Sequence, residues 1–183
     1  FTKRQKLTLD GIVLVPGKNI KNKKPILDFI DKNISNGNID FEGLPKNLNK
    51  TAMVNLIASE SSYNPFAKSS ADALGLGQFK GKATEDLQRK NPDFDPLHAE
   101  MSILGIPRYW KMLKNYITAS VNRKKHPMAW QVWQGSSEED KSRIVLYSYQ
   151  QGVGGGWWKI IKKLLENDKM LAQDIDSLRE MYF

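Results

Sequence analysis

The chain has 183 residues, of which 40% are hydrophobic, and its 28 Lys and Arg against 20 Asp and Glu give a formal net charge of +8. This size suits one domain, or one domain with an appendage, and the composition excludes a wholly disordered chain. The absence of cysteine excludes disulfide scaffolds, thiolate nucleophiles and Cys-bearing zinc sites. Because the two histidines, His98 and His126, stand far apart in the sequence, we expect neither a metal nor a cofactor. No apolar run approaches the roughly 18 residues of a membrane span, so no transmembrane segment is predicted.

The positive charge fits a polyanionic partner, which is either nucleic acid or an anionic cell envelope, and charge alone does not choose between them. Much of the excess lies in the first 24 residues, which contain one acid, Asp10. A solvated basic arm is the simplest interpretation of this stretch. Its basic residues are Lys3, Arg4, Lys6, Lys18, Lys21, Lys23 and Lys24.

Short-range signals in the first third of the chain predict a β-hairpin and a helix. Asp10-Gly11 separates two β-rich runs within residues 6–15, and both turn residues tolerate a positive φ. Pro25 can open a short helix that closes near Asn36-Gly37. From about Asn47 onward the pattern is helical, so we predict an N-terminal appendage over residues 1–46 and a helical main domain over residues 47–183.

Start signals and apolar spacing place the later helices. Pro107 is expected to kink or break the longest of them near Gly105, and Gly152 to end the fourth. Residues 122–136 are expected to form a loop that borders a groove. The predicted helices run from Asn49 or Thr51 to Ser61, from Thr84, from Asp95-Pro96, from Ser136-Ser137 through Tyr149, over residues 157–166 and over residues 170–181.

One carboxylate falls on a buried helix face. Met53, Leu56 and Ile57 define an apolar stripe, and the next member of that stripe is Glu60. Burial and a position in the last helical turn both favour the neutral form of a carboxyl. A carboxyl that keeps its proton can act as a general acid, although a buried Glu paired with Arg or Lys would show the same pattern.

Residues 56–79, LIASESSYNPFAKSSADALGLGQF, resemble the core signature of the lytic transglycosylases of the soluble-transglycosylase (SLT) type. The similarity includes Glu60-Ser61, Asn64-Pro65, Ser69 and the Gly75-Leu76-x-Gln78 motif. Asp95-Pro96 with the helix to Tyr109, and the run from Tyr147 to Gly152, are similar to later segments of that family.

The resemblance implies a mainly α, lysozyme-like fold of the SLT and goose-lysozyme type, preceded here by the β-hairpin appendage. It implies cleavage of the β-1,4 bond between N-acetylmuramic acid and N-acetylglucosamine in peptidoglycan, with a 1,6-anhydro product. Glu60 would act first as acid and then as base. Ser61 would orient Glu60 or bind substrate, Gln78 would line the glycan cleft, Tyr149 would hydrogen-bond near Glu60, and Gln150 would contact the N-acetyl group.

Three positions depart from the family pattern. Asp72 stands where Gly is common, Gly77 replaces a Met, and Gln150 replaces an Asn. A second carboxylate at Asp72 could activate water and make the enzyme a hydrolytic muramidase. Goose-type lysozymes, however, carry an Asp two positions after the motif Gln, where this chain has Lys80.

Other functions remain open at this point. A catalytically silent wall-binding or structural module of a phage tail or secretion assembly would keep the fold, although it has no need for an acid on the apolar stripe. A nucleic-acid binder would explain the charge, but no nucleic-acid partner is expected. The predicted partner is the peptidoglycan glycan strand, with residues 1–46 available to dock a larger virion or envelope assembly, and the predicted location is extracytoplasmic or phage-associated.

Overall fold

The computed structural model describes residues 7–120, 127–155 and 157. The first element is a two-stranded antiparallel hairpin, in which β1 (Thr8–Leu9) pairs with β2 (Ile12–Val13). Asp10 and Gly11 join the strands at φ values of 49° and 77°, as a turn with two left-handed residues requires. The predicted hairpin is confirmed.

A single 3₁₀ turn at Ile20–Asn22 leads into helix α1, Lys23–Ser35. The helix buries Ile26, Phe29 and Ile30, which share one face at the helical period. It ends at Asn36, and Gly37 follows with a φ of 79°. The helix predicted around Pro25 is therefore confirmed.

Helices dominate the rest of the described chain, which confirms a mainly α fold with a small N-terminal hairpin. The Asn49 side chain caps α2 by accepting a hydrogen bond from the Ala52 N–H. Ser137 caps α6 through its hydroxyl, which accepts from the Asp140 N–H and donates to the Asp140 carboxylate, and Gly152 interrupts α6 with a φ of 74°. The helices are α2 (Lys50–Ser61), α3 (Gly81–Gln88), α4 (Ala99–Ser120), α5 (Pro127–Gly135) and α6 (Glu138–Gly155).

Helix α4 differs from its prediction in two respects. It begins at Ala99 because Asp95 first forms a turn, in which its carboxylate accepts from the Leu97 N–H and its carbonyl accepts from the His98 N–H. It also continues through Pro107 without a break. Ile103 and Ile106 are fully buried just before the proline, and such packing can hold a helix together where one backbone hydrogen bond is missing.

The loop predicted over residues 122–136 is wrong for residues 127–135, which form α5. Pro127 occupies the first helical position, where its missing N–H has no intrahelical partner to lose. Val132 and Trp133 are buried, whereas Gln131 and Gln134 are exposed, so the segment has an apolar helical face. The helices predicted at residues 157–166 and 170–181 lie outside the described residues, apart from Trp157.

The described residues belong to two compact units. The first comprises the chain up to Glu42 together with Asn49–Tyr109, and the second comprises Gly43–Leu48 and the chain from Trp110 onward. The boundary between residues 46 and 47 stays a prediction.

Each unit has its own buried aromatic contacts. In the first unit, the rings of Phe79 and Phe94 meet edge to face with centroids 5.3 Å apart, and Phe79 also contacts Tyr109. Burial, and to a lesser extent the Asp86 carboxylate, raise the pKa of Tyr109 to about 12. In the second unit, the rings of Trp133 and Trp157 also meet edge to face, with centroids 6.1 Å apart.

The backbone of Gly75 packs very closely against the backbone of Pro96. A Cβ at this position would lie 1.7 Å from the Pro96 carbonyl oxygen, and the residue has a φ of 77°. The turn that contains Gly75 can therefore pack against Pro96 only if residue 75 has no side chain.

We expect Gly75→Ala to lower the free energy of unfolding by about 3 kcal/mol or more, because overpacking and a left-handed backbone act together. Urea denaturation followed by circular dichroism measures the effect. Gly81→Ala is the matched control, because a Cβ at Gly81 meets nothing within 4 Å. A small loss at Gly75, equal to the change at Gly81, would contradict the close approach.

Candidate active site

Glu60 lies in the last turn of α2, the helix that Asn49 caps. Met53 and Ile57 on the same face are fully buried, but Glu60 is only partly buried. Glu60 is therefore less buried than Met53 and Ile57, which precede it on the stripe.

Ser61, the neighbour of Glu60, is the last buried residue of α2. Its hydroxyl donates a hydrogen bond of 2.9 Å to the Ile57 carbonyl, one turn earlier. This bond to a carbonyl one turn earlier satisfies the buried hydroxyl within its own helix. The structure thus gives the Ser61 side chain an intrahelical bond, and its contact with substrate stays a prediction.

The chain leaves α2 through two consecutive left-handed residues. Ser62 has a φ of 49° and Tyr63 a φ of 60°, a conformation that costs roughly 1–2 kcal/mol for each residue with a Cβ. Asn64 then forms a tight turn, since its side-chain oxygen accepts from the Phe66 N–H at 3.0 Å. We call residues 62–64 the exit loop of α2.

Gln78 lies in a second compact turn of the first unit. Leu74 pairs with both Lys68 and Phe79 in single antiparallel bridges, so residues 67–79 fold back on themselves. The Gln78 amide nitrogen donates to the carbonyls of Ala67 and Gly75 at 3.1 and 2.9 Å. Gln78 itself is buried and has a φ of 51°, so its side chain stabilises the turn that presents it.

Ser102 supports the same turn and was not anticipated from the sequence. This fully buried residue in the first turns of α4 accepts a hydrogen bond of 3.1 Å from the Gly77 N–H. The sequence hints at a buried Ser102 only because the residue stands close to the apolar residues Ile103 and Ile106. It does not indicate that the bonding partner is Gly77, which lies 25 residues away along the chain.

Asp72 lies at an exposed corner between these features. Its side chain is 81% exposed and its carboxylate contacts the Lys68 ammonium at 3.0 Å. The Ser69 hydroxyl accepts from the N–H groups of Ala71 and Ala73, which builds the turn around it. Asp72 has a φ of 57°, and Asp tolerates this region better than most residues.

The remaining predicted site residues belong to the second unit. Tyr149 is buried and Gln150 is exposed, both on α6 shortly before its interruption at Gly152. Glu60, Ser61 and Gln78, by contrast, all belong to the first unit.

Within the described ranges, no group of three or more His, Cys, Asp or Glu side chains is arranged to hold a metal ion. In the same part of the chain, no helix combines the length and the apolar character needed to cross a membrane.

Comparison with known families matches residues 37–159 to the transglycosylase SLT domain. The match covers two thirds of the chain and includes every predicted site residue. Comparison with curated proteins and with solved structures gives no significant match. The chain belongs to the transglycosylase SLT domain family, whose fold is lysozyme-like and whose members act on peptidoglycan.

Proposed function

We propose that the protein is a peptidoglycan lytic transglycosylase with Glu60 as its acid and base. The observation that carries this proposal is the position of Glu60, a partly buried acid on an otherwise buried helix face, within the sequence motif of its family. A proton donor must reach its substrate, and a partly exposed residue meets that requirement.

The first step breaks the bond between C1 of N-acetylmuramic acid and the bridging oxygen of N-acetylglucosamine. The Glu60 carboxyl donates its proton to that oxygen, so the leaving sugar departs with a new hydroxyl group. The substrate's own N-acetyl group stabilises the positive charge that develops at C1.

The second step closes the product ring. The Glu60 carboxylate accepts the proton of the C6 hydroxyl of N-acetylmuramic acid while the C6 oxygen attacks C1. Since the hydroxyl is tethered to the reacting sugar, its effective concentration is high. The step regenerates the Glu60 carboxyl, consumes no water and leaves a 1,6-anhydro sugar.

Other side chains would bind and orient the glycan. Gln78 uses its amide nitrogen on two backbone carbonyls, so its carbonyl oxygen is the group suited to accept a hydrogen bond from a sugar. Tyr149 would hydrogen-bond near Glu60 and Gln150 would contact the N-acetyl group, as their positions in the family motif suggest. Ser61 would act through the last turn of α2.

The proposed substrate sets the proposed location. Peptidoglycan lies outside the cytoplasmic membrane, so the protein would work in the periplasm or cell envelope, or as part of a phage particle or lysis system. Residues 1–46 would be the segment that docks it to a larger envelope or virion assembly.

Glu60→Gln should keep the shape of the side chain but remove its ability to give and recover a proton. We expect the rate of lysis of purified sacculi to fall by at least about 100-fold, with folding stability retained. Glu85→Gln, at an exposed acid of α3 in the same unit, is the matched control and should keep full activity. A Glu60→Gln protein with most of its activity would eliminate the mechanism.

Asp72→Asn tests the alternative muramidase, in which Asp72 would activate water. We expect activity to stay within a factor of two, because Asp72 forms an exposed ion pair of the kind worth about 0–1 kcal/mol. Asn also tolerates the left-handed backbone at this position. Loss of turnover in a folded Asp72→Asn protein would favour a two-carboxylate hydrolase.

The released product separates the two reactions directly. We expect muropeptides that end in 1,6-anhydro-N-acetylmuramic acid, one water lighter than hydrolytic products, when purified sacculi are digested and analysed by mass spectrometry. In ¹⁸O-labelled water these products should carry no label. Incorporation of one heavy oxygen per cleavage would identify a muramidase instead.

A further inference from the structure

The segment before α1 is bound to the rest of the first unit through a buried asparagine. Asn22 lies in a Lys-rich stretch and is 1% exposed. Its side-chain oxygen accepts from the Val15 N–H at 2.7 Å, and its amide nitrogen donates to the Val15 carbonyl at 2.8 Å. These two bonds close residues 15–22 into a compact segment, which we call the strap.

The strap is attached to the exit loop of α2 at three successive residues. The Asn19 N–H donates to the Ser62 carbonyl at 3.3 Å, and the Asn22 amide donates to the Tyr63 carbonyl at 2.8 Å. The Gly17 N–H donates to the Asn64 side-chain oxygen at 3.1 Å. All three bonds lie within the first unit.

The exit loop needs this outside support. Ser62 and Tyr63 hold consecutive left-handed conformations, which persist only where the surrounding structure fixes them. The Ser62 N–H donates back to the Ala58 carbonyl, and the Asn64 N–H donates to the Ser61 carbonyl. The strap supplies the partners for the Ser62 and Tyr63 carbonyls, and one of the two, Tyr63, is itself buried.

The exit loop begins two residues after Glu60, so the strap also fixes the last turn of α2. Release of the Tyr63 carbonyl would leave a buried acceptor without a donor and would let the loop relax toward ordinary backbone angles. Such a change at residues 62–63 would shift the Cα of Glu60, and displacement of a catalytic group by about 1 Å can cost 100-fold in rate.

We propose that Asn22 is a positioning residue for Glu60 and that the strap helps to hold the proposed active site in place. The role of Glu60 in this inference rests on the proposed function. Asn22 touches no substrate in this scheme; it acts through the Tyr63 carbonyl and the exit loop.

Asn22→Ala tests the inference, with Asn33→Ala as its matched control. Asn33 is equally buried, and it bonds to the Phe29 carbonyl and to Asn38, away from the exit loop. Both variants should lower the urea midpoint, because each leaves buried polar groups without partners. At a temperature where both are folded, only Asn22→Ala should lower kcat, by about 10-fold or more, with KM changed less than twofold.

Amide hydrogen exchange supplies a readout that does not depend on activity. In Asn22→Ala, the Ser62 and Asn64 amides should exchange at least about 10-fold faster than in the wild-type protein, and in Asn33→Ala they should not. Equal kcat and equal exchange in the two variants would overturn the inference. Faster exchange with an unchanged kcat would overturn the positioning role.

Wild-type protein alone gives a second test if Asn22→Ala does not fold. Native-state exchange in increasing urea should show the amides of Val15, Gly17 and Asn19 opening together with those of Ser62 and Asn64, as one cooperative unit. Opening of the strap at lower urea, with the loop still protected, would overturn the inference. Wild-type protein with no lytic activity would instead refute the proposed function, and exchange would still decide whether the strap holds the loop.

Discussion

The left-handed pair Ser62–Tyr63 is the constraint on which the proposed site depends. It ends α2 one residue beyond Glu60 and turns the chain sharply. Neither residue is a glycine, so the conformation is stabilised by contacts and not by local preference. The buried amide of Asn22 and the tight turn of Asn64 supply those contacts. The position of the acid is therefore set from outside its own helix.

A second constraint, the close approach of Gly75 to Pro96, fixes the turn that carries Gln78. The Gly77 N–H is bound by Ser102 of α4, and the Gln78 amide is bound by two carbonyls within the turn. A glutamine whose nitrogen is engaged in this way can present its oxygen without loss of side-chain freedom on binding. The amide nitrogen of Gln78 thus stabilises the turn, and the proposed contact with the glycan uses the oxygen at the other end of the same amide.

Sequence motifs are sufficient to predict those elements whose turns and caps are formed by residues close together in the chain. Asp10-Gly11 predicts the hairpin, the Asn49 cap predicts the start of α2, and the Ser137 cap predicts the start of α6. Each of these features involves residues only a few positions apart in the chain. Sequence patterns are less informative where packing decides. Helix α4 continues through Pro107, so a break is absent there, and the segment around Trp133 forms a helix in place of the predicted loop.

The same distinction applies to the site. Glu60 and its motif could be found from the sequence, since a carboxyl on an apolar stripe is visible in the spacing. Its partial exposure could not, because helical period gives the direction of a side chain and not where the surrounding packing ends. The roles of Ser102 and Asn22 depend on partners 25 and 41 residues away, and a single sequence contains no signal for such pairs.

The N-terminal segment combines two properties that its sequence does not separate. Lys18, Lys21, Lys23 and Lys24 are exposed, so they can attract an anionic cell envelope from a distance. Asn22, among them, is buried and bound to the exit loop.

Removal of residues 1–24 would therefore change the charge and release the loop together, and a loss of lysis in such a truncated protein would not identify its cause. Neutral substitutions at the exposed lysines alone leave the hydrogen bonds of Asn22 in place, so they isolate the electrostatic contribution. Exposed charges and inward hydrogen bonds thus alternate within a few residues of one segment, so its electrostatic and structural contributions can be separated only side chain by side chain.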